Sequence, residues 1–372
     1  MDALNSAVKK PTLINRADSP ETKPAQGNPL LVEISLKSEK EWLTIIEQFE
    51  DANFYQTKTF GKHSTGGKKL EHFILKENGK IIAAAEVRIS IIGFLKRGIA
   101  YIRWGPLWKL KNEEHQISKL ETVLKELRNE YVIKRRLKLR IFPECYENDN
   151  DFLIDVYKKA GFKLNKKYRN EKTIILNIKP HLKEIRSNFK SKWRNRLKKS
   201  EQNDFDIISG HSDILFEKFF KIYEEMHEFK HFKDQIGVGS FEVMQHDLPE
   251  KYKMKVFLAE SGGSPAAALV GTAIGNTGIC LLAASNKLGR QLSASYQLHI
   301  RMIEWLKNMN CNYYDLGGID PVKNPGGYRF KSGFNGKEVT FIGAFEACIC
   351  PVSWIITKAG EIYFKLLHYI KF

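Results

Sequence analysis

The sequence has no paired cysteines and no long, uninterrupted apolar run. Its five cysteines (Cys145, Cys280, Cys311, Cys348 and Cys350) are scattered and odd in number. Neither a disulfide framework nor paired C-x-x-C zinc spacing can be drawn from them. Cys348 and Cys350 form only C-x-C inside an apolar stretch, which is a packing pattern. A reducing, cytoplasmic setting is expected. The first residues lack the continuous apolar segment of a secretory signal. The weakly polar run from Val256 to Ser285 is interrupted by Glu260, Gly262-Gly263 and Pro265. It predicts buried strands joined by a turn, not a membrane span.

Catalytic signatures are equally sparse. Ser261 and Ser264 lie outside any G-x-S-x-G elbow, and no H-E-x-x-H is present. Gly237-x-Gly239 lacks the rest of a dinucleotide fingerprint. No metal and no cofactor are implied. These absences favour chemistry by proximity and electrostatics over covalent or metal catalysis.

What is present is charge. The 372 residues carry a formal +17 with 42% hydrophobic residues, enough chain for about two domains with ordinary cores. So basic a chain suits a polyanion such as tRNA, a nucleotide-sugar or an anionic membrane face, although the same charge also serves plain solubility.

Along the chain, residues 1–28 mix Pro, Ser, Ala, Lys and Asp without apolar periodicity and read as a flexible tail. Trp42, Ile45, Ile46 and Phe49 predict a helix, and Asn78-Gly79 between apolar runs predicts a hairpin. A helix over Glu114 to Val132, a strand over Leu137 to Phe142 and Pro143 recur in kind as Ala294–Asn310, Asn312–Leu316 and Pro321. This faint duplication predicts two similar α/β halves divided near Ile178-Lys179-Pro180. Beyond the divide, Ile185, Phe189, Trp193 and Leu197 recur every fourth residue and predict one helix over Lys183 to Lys199. Around that stripe stand Lys183, Arg186, Lys190, Lys192, Arg194, Arg196, Lys198 and Lys199, opposed in the stretch only by Glu184. The face is either a phosphate-binding surface or a solvated helix side. Cys348 to Phe372 is apolar and aromatic with lysines, and reads as a closing helix or a membrane-surface segment.

The chain is organised around Tyr313 to Glu346. A short strand breaks at Gly317-Gly318, and a polar loop with Pro321, Pro325 and Gly326-Gly327 leads to Tyr328-Arg329-Phe330-Lys331. One further strand is predicted over Val339 to Phe345. Glycine-flanked aromatics and cations at a strand end suit a phosphorylated or planar ligand. The plain alternative is a surface hairpin with a solvated lysine.

The order YDLGGI, proline loop, G-x-YRFK-x-GF resembles the C-terminal signature of the FemABX peptidyltransferases. Phe54 to Lys62 is similar to that family's F-x-Q-S-x-x-W-G stretch, with Thr57 for Ser and Phe60 for Trp. Tyr101 to Pro106 is similar to its Y-x-P-x-G-P turn with Arg103 for Pro, and Lys192 to Ser200 to its K-T-R-x-N-I-R-x-A segment. The resemblance implies two tandem GNAT-like acyltransferase domains (α/β, α+β) with mixed sheets and no coiled-coil arm, at 29–180 and 181–372. It implies an aminoacyltransferase that moves an amino acid from aminoacyl-tRNA to an amine of a nucleotide- or lipid-linked peptidoglycan precursor. The enzyme would be a monomer, with peripheral contact to the inner membrane face. Lys331 and Phe330 would be catalytic at the tRNA 3′ end. Tyr328, Arg329, Gly318 and Lys192 would bind substrate, and Arg194 and Lys62 would bind acceptor phosphate. Two departures stand out: Lys109 where a carboxylate often follows the turn, and Leu282 where a tyrosine often precedes G-A-S.

Two other readings stay open. One is a GNAT-type N-acyltransferase using acyl-CoA on a sugar or exopolysaccharide precursor, with Asn286 to Gln291 as the nearest pyrophosphate loop. The other is a non-catalytic RNA- or membrane-binding module built on the Lys183–Lys199 face.

Overall fold

Asn78 and Gly79 take left-handed conformations (φ 51° and 79°) and fold β2 (Lys69–Glu77) back onto β3 (Lys80–Ile92) as the sequence predicts. The computed structural model describes residues 30–64, 69–147, 151–168, 171–230 and 237–370, so the predicted tail over 1–28 lies outside the described residues. β1 (Leu30–Ser35), β4 (Arg97–Arg103), β5 (Lys138–Phe142) and β6 (Lys163–Asn165) belong with the hairpin. A second group holds β7 (Lys172–Asn177), β8 (Asp206–Gly210), β9 (Lys255–Ser261), β10 (Ser264–Ile274) and β11 (Thr277–Ser285). It also holds β12 (Tyr313–Asp315) and β13 (Lys337–Thr340), whereas β14 (Ala344–Ala347) returns to the first group.

Among the described residues the result is two seven-stranded sheets, ordered β1-β2-β3-β4-β5-β14-β6 and β13-β7-β12-β11-β10-β9-β8. In each, one parallel pair (β4/β5 and β11/β12) is set among antiparallel neighbours. The strand closing each pair follows a helix, Ile117–Leu127 or Ala294–Asn308, because a parallel return needs a crossover. The repeated helix–strand–proline order is therefore a real structural repeat, and the fold is the tandem mixed-sheet α/β architecture expected.

Three expectations are corrected. The division at 180 does not coincide with the change of sheet, because β7 already lies in the second sheet and β14 in the first. The apolar run over 339–345 is two strands in different sheets, with Gly343 (φ 109°) at the crossing. The basic helix is two helices, Leu182–Asn188 and Ser191–Glu201, broken where Phe189 turns extended. Its stripe of Ile185, Phe189, Trp193 and Leu197 is nonetheless buried throughout.

The halves share a core. One apolar cluster runs from Trp42, Phe54 and Leu107 to Phe216, Phe241 and Leu282. Each such side chain contributes about 1.5–3 kcal/mol on burial, so the two sheets are held as one body around the seam between them.

Candidate active site

Asn324 caps the Pro325–Ser332 helix, its Oδ1 accepting from the Gly327 amide at 3.0 Å, with Pro325 in the first turn where its missing N–H costs nothing. Tyr328 to Lys331 thus lie on a helix and not in a glycine loop that folds back, and the turn splits their roles. Phe330 points inward, against Tyr296 (5.0 Å between ring centroids), His299 (5.3 Å), Phe334 (5.7 Å) and Trp193 (6.1 Å). It is a half-buried ring that seats the helix against the core. Tyr328 donates its hydroxyl to Glu338 at 3.1 Å, and Arg329 is exposed.

Lys331 turns the other way, to the end of β12. Its Nζ donates to the Gly318 carbonyl at 2.9 Å, the one acceptor it meets among the described residues. Two of its three N–H bonds remain for a ligand. Gly317 beside it has φ 77°, and a Cβ there would stand 2.8 Å from the Cys280 carbonyl and 3.5 Å from Lys331 Nζ. The turn is glycine because a side chain would be strained and would crowd the ammonium. Asp315, buried, fixes this turn by accepting from the Gly317 amide at 2.8 Å and from the Thr173 hydroxyl. Burial raises the Asp315 pKa, opposed by the Thr173 and Gly317 bonds and by Lys331. Burial lowers the Lys331 pKa, opposed by Cys280 and Asp315. Beneath them His299 is held near pKa 3 by burial and by the charge of Lys331, and is hydrogen-bonded to Tyr314 at 2.8 Å.

Across the seam, the C-terminal ends of β4 and β5 supply the facing wall. The Arg103 guanidinium lies 4.8 Å from the Tyr55 ring, and Tyr55 is 4.5 Å from Trp104. Phe341, on the crossing between sheets, contacts both Trp104 (5.2 Å) and Tyr146 (5.1 Å). Tyr146 donates to Glu144 at 3.2 Å. Burial pushes Glu144 up to about 7; Lys109 opposes the shift, while Asp315 and Asp51 add to it. Burial likewise raises Tyr55 to about 12, with Arg103 opposing and Asp315 adding. Asp315 thus bears electrostatically on Lys331 on one wall and on Tyr55 and Glu144 on the other. Sequence reasoning did not single out Tyr55, Arg103, Glu144 or Asp315 as site residues. The available signal was position, since Arg103 and Asp315 end their strands and Glu144 stands just past the end of its own.

The remaining candidates stand apart. Arg194 is exposed, and its Nη1 donates to the carbonyls of Ser187 (3.0 Å) and Phe189, tying the end of the Leu182–Asn188 helix. Lys192 is exposed. Lys62 pairs with Asp247 at 2.8 Å, an oxygen that His63 also meets at 2.8 Å. None of the three contacts Lys331 among the described residues. The helix of Lys192 and Arg194 does adjoin that of Lys331, for Lys190 donates its amide to Gly333 at 2.9 Å and Trp193 packs on Phe334 at 4.4 Å. In the acyl-CoA candidate loop, Asn286 already occupies two amides, its Oδ1 taking Gly289 N–H (3.0 Å) and its carbonyl taking Arg290 N–H (3.1 Å). A pyrophosphate would find neither free.

Comparison with known proteins falls on the same ground. Residues 239–359, which include Asp315 and Lys331, match the model of the FemAB family. The UDP-N-acetylmuramoylpentapeptide-lysine N(6)-alanyltransferase of Weissella viridescens is 24% identical over 271 residues, covering 70% of this chain and 78% of that protein. The crystal structure of FemX superposes with a TM-score of 0.74 at 14% identity, covering 87% of this chain and 99% of the other. A conserved protein of unknown function from Bacteroides thetaiotaomicron superposes with a TM-score of 0.55 at 10% identity, over 86% of this chain and 100% of the other. At those identities the two structures share the fold.

Proposed function

We propose that the chain is a FemABX-type enzyme that transfers an amino acid from aminoacyl-tRNA to an amine of a peptidoglycan precursor, a reading supported by the FemAB match over residues 239–359 and by the similarity to the alanyltransferase. The observation that carries the chemistry is Lys331, a half-buried ammonium with two N–H bonds to spare at the Gly317-Gly318 turn. An aminoacyl ester is already activated, so no cofactor is called for. The acceptor amine attacks the ester carbonyl carbon and a C–N bond forms. The carbonyl oxygen gathers negative charge beside the Lys331 ammonium. The ester C–O bond then breaks and the tRNA hydroxyl leaves. The proton lost by the amine passes to Glu144, whose pKa of about 7 suits a base at neutral pH, and from Glu144 to the departing oxygen, which thereby leaves as the tRNA hydroxyl.

The polyanionic donor has a matching surface. Lys183, Lys190, Lys192, Arg196, Lys198 and Lys199 are exposed on the two helices that adjoin the Lys331 helix. Such a face binds a phosphate backbone without reading sequence. Incubation with charged tRNA and with nucleotide- or lipid-linked precursors, followed by mass spectrometry of the products, tests the proposal. An aminoacylated precursor is expected; no product from any charged tRNA refutes it. For a lipid-linked acceptor the same proposal includes peripheral contact with the inner membrane face. The enzyme acts as a monomer in this scheme.

Arg194 separates two roles. As an acceptor-phosphate ligand, its loss should raise acceptor KM about tenfold or more with kcat little changed, the cost of one charge-assisted contact being about 1.5–3 kcal/mol. We expect that result for Arg194→Ala, together with a lower Tm from the lost tie to Ser187 and Phe189. A lower Tm with unchanged KM would leave Arg194 as a tether alone.

A further inference from the structure

The Pro351–Ile370 helix is packed the wrong way round for a water-facing element. Ser353, Thr357 and Glu361, spaced by four, lie on its inner side. Ser353 accepts from the Gly98 amide at 3.2 Å and donates to the Arg136 carbonyl at 2.7 Å. Thr357 bonds back to the Ser353 carbonyl at 2.7 Å. Burial would raise the Glu361 pKa, but Arg140, Lys358 and Tyr168 hold it near 2. The polar side is therefore spent on the protein. The opposite side presents Val352, Ile355 and Ile362, flanked by Trp354, and these are 43%, 58%, 58% and 50% exposed.

Ser353 is also a meeting point. Through Gly98 it holds the β3–β4 hairpin, whose tip carries Phe94 at 87% exposure, with Ile91, Ile92 and Leu95 partly exposed beside it. Through Arg136 it holds the end of the helical segment Arg128–Lys134, on which Ile133 is exposed. The apolar groups are accompanied by cations: Lys96 follows Phe94-Leu95, and Lys134 and Arg136 follow Ile133, all exposed. No carboxylate occurs from Val87 to Asn112. Nearby Glu130 is neutralised by Lys134 (3.3 Å) and Arg135 (2.8 Å). Among the described residues no helix is long and apolar enough to cross a membrane.

We propose that this face, formed by the outer side of the helix from Val352 to Ile362 and the Phe94 hairpin tip, docks on an anionic lipid bilayer. An exposed aromatic at a loop tip and an apolar helix side enter the headgroup–acyl boundary, while Lys96 and Arg136 meet lipid phosphates. Charge decides between occupants. A second copy of this face would bring like charges together, whereas an anionic leaflet complements them. The proposal gives the membrane contact a surface, and it stands on this face alone, separately from aminoacyl transfer.

The test uses the full chain with extruded vesicles of phosphatidylcholine containing about 30 mol% phosphatidylglycerol, and with pure phosphatidylcholine. Co-sedimentation should favour the anionic vesicles, and Phe94→Asp combined with Ile355→Asp should weaken partitioning at least about tenfold. Both positions are exposed, so circular dichroism and transferase turnover on a soluble acceptor should be unchanged. Absence of binding to anionic vesicles overturns the proposal. So does binding equally strong in the double variant, which would make the association electrostatic only. Concentration-dependent dimerisation in ultracentrifugation that the double variant abolishes would assign the face to a second copy, and would also overturn it.

Discussion

Lys331→Met is expected to lower kcat about 10²-fold or more while leaving the fold intact. Met keeps most of the aliphatic stem and removes the ammonium, and loss of one oxyanion donor costs on that order. The fold should survive because, among the described residues, the hydrogen bond lost is the one to the Gly318 carbonyl. The neighbouring Phe330 still seats the helix on Tyr296, His299 and Phe334. A solvated lysine at this point would lose almost nothing on the same change. The pH profile adds a second readout. Burial lowers the Lys331 pKa below 10.5, so the ammonium deprotonates earlier in the alkaline range than a free lysine would. Wild-type activity should fall there, and Lys331→Arg, which keeps its charge, should move that fall to higher pH. Rates measured with any charged tRNA the enzyme accepts decide it. Wild-type turnover in Lys331→Met would remove Lys331 from the chemistry.

The sequence showed most clearly what local rules govern. Asn78-Gly79 specified its hairpin, and the four-residue stripe through Ile185 and Leu197 specified a buried side. It did not show the break at Phe189, because an extended residue there still turns its ring to the core and leaves the spacing undisturbed. The Pro325–Ser332 helix was hidden by Gly326-Gly327, poor helix formers, although Asn324-Pro325 spelled a start. Recognising that start would have separated Phe330 from Lys331, since neighbours on a helix point about 100° apart. Sheet membership was not legible. β7 and β14 are short strands, and their partners lie far along the chain, at Tyr313–Asp315 and Leu139–Ile141. For the same reason the site was half seen: the Lys331 side is one contiguous stretch, whereas Tyr55, Arg103 and Glu144 reach the seam from three separate elements.

Glu144 supplies the second large effect. Glu144→Gln keeps the shape and an oxygen for the Tyr146 hydroxyl, yet can accept no proton from the amine. A positioned general base contributes about 10²–10⁴-fold, so kcat should fall by at least about 10² with acceptor KM little changed. In the wild type, kcat/KM should rise with pH through about 7 as the carboxyl ionises, and the variant should lack that limb. Stability should run in the opposite direction. A carboxyl whose folded pKa is raised stabilises fully below its unfolded value, near 4.5, and loses that contribution as pH rises through about 7. The groups that bear on it are Lys109, which eases ionisation, and Asp315, Asp51 and Tyr146. Across this window the wild type should therefore gain activity while Glu144 withdraws stability. The Tm of Glu144→Gln above pH 7 should match or exceed that of the wild type. A variant both inactive and less stable would make Glu144 a structural group. A variant as stable as the wild type, with its rate low and flat across pH 5–8, identifies the carboxylate as the proton acceptor.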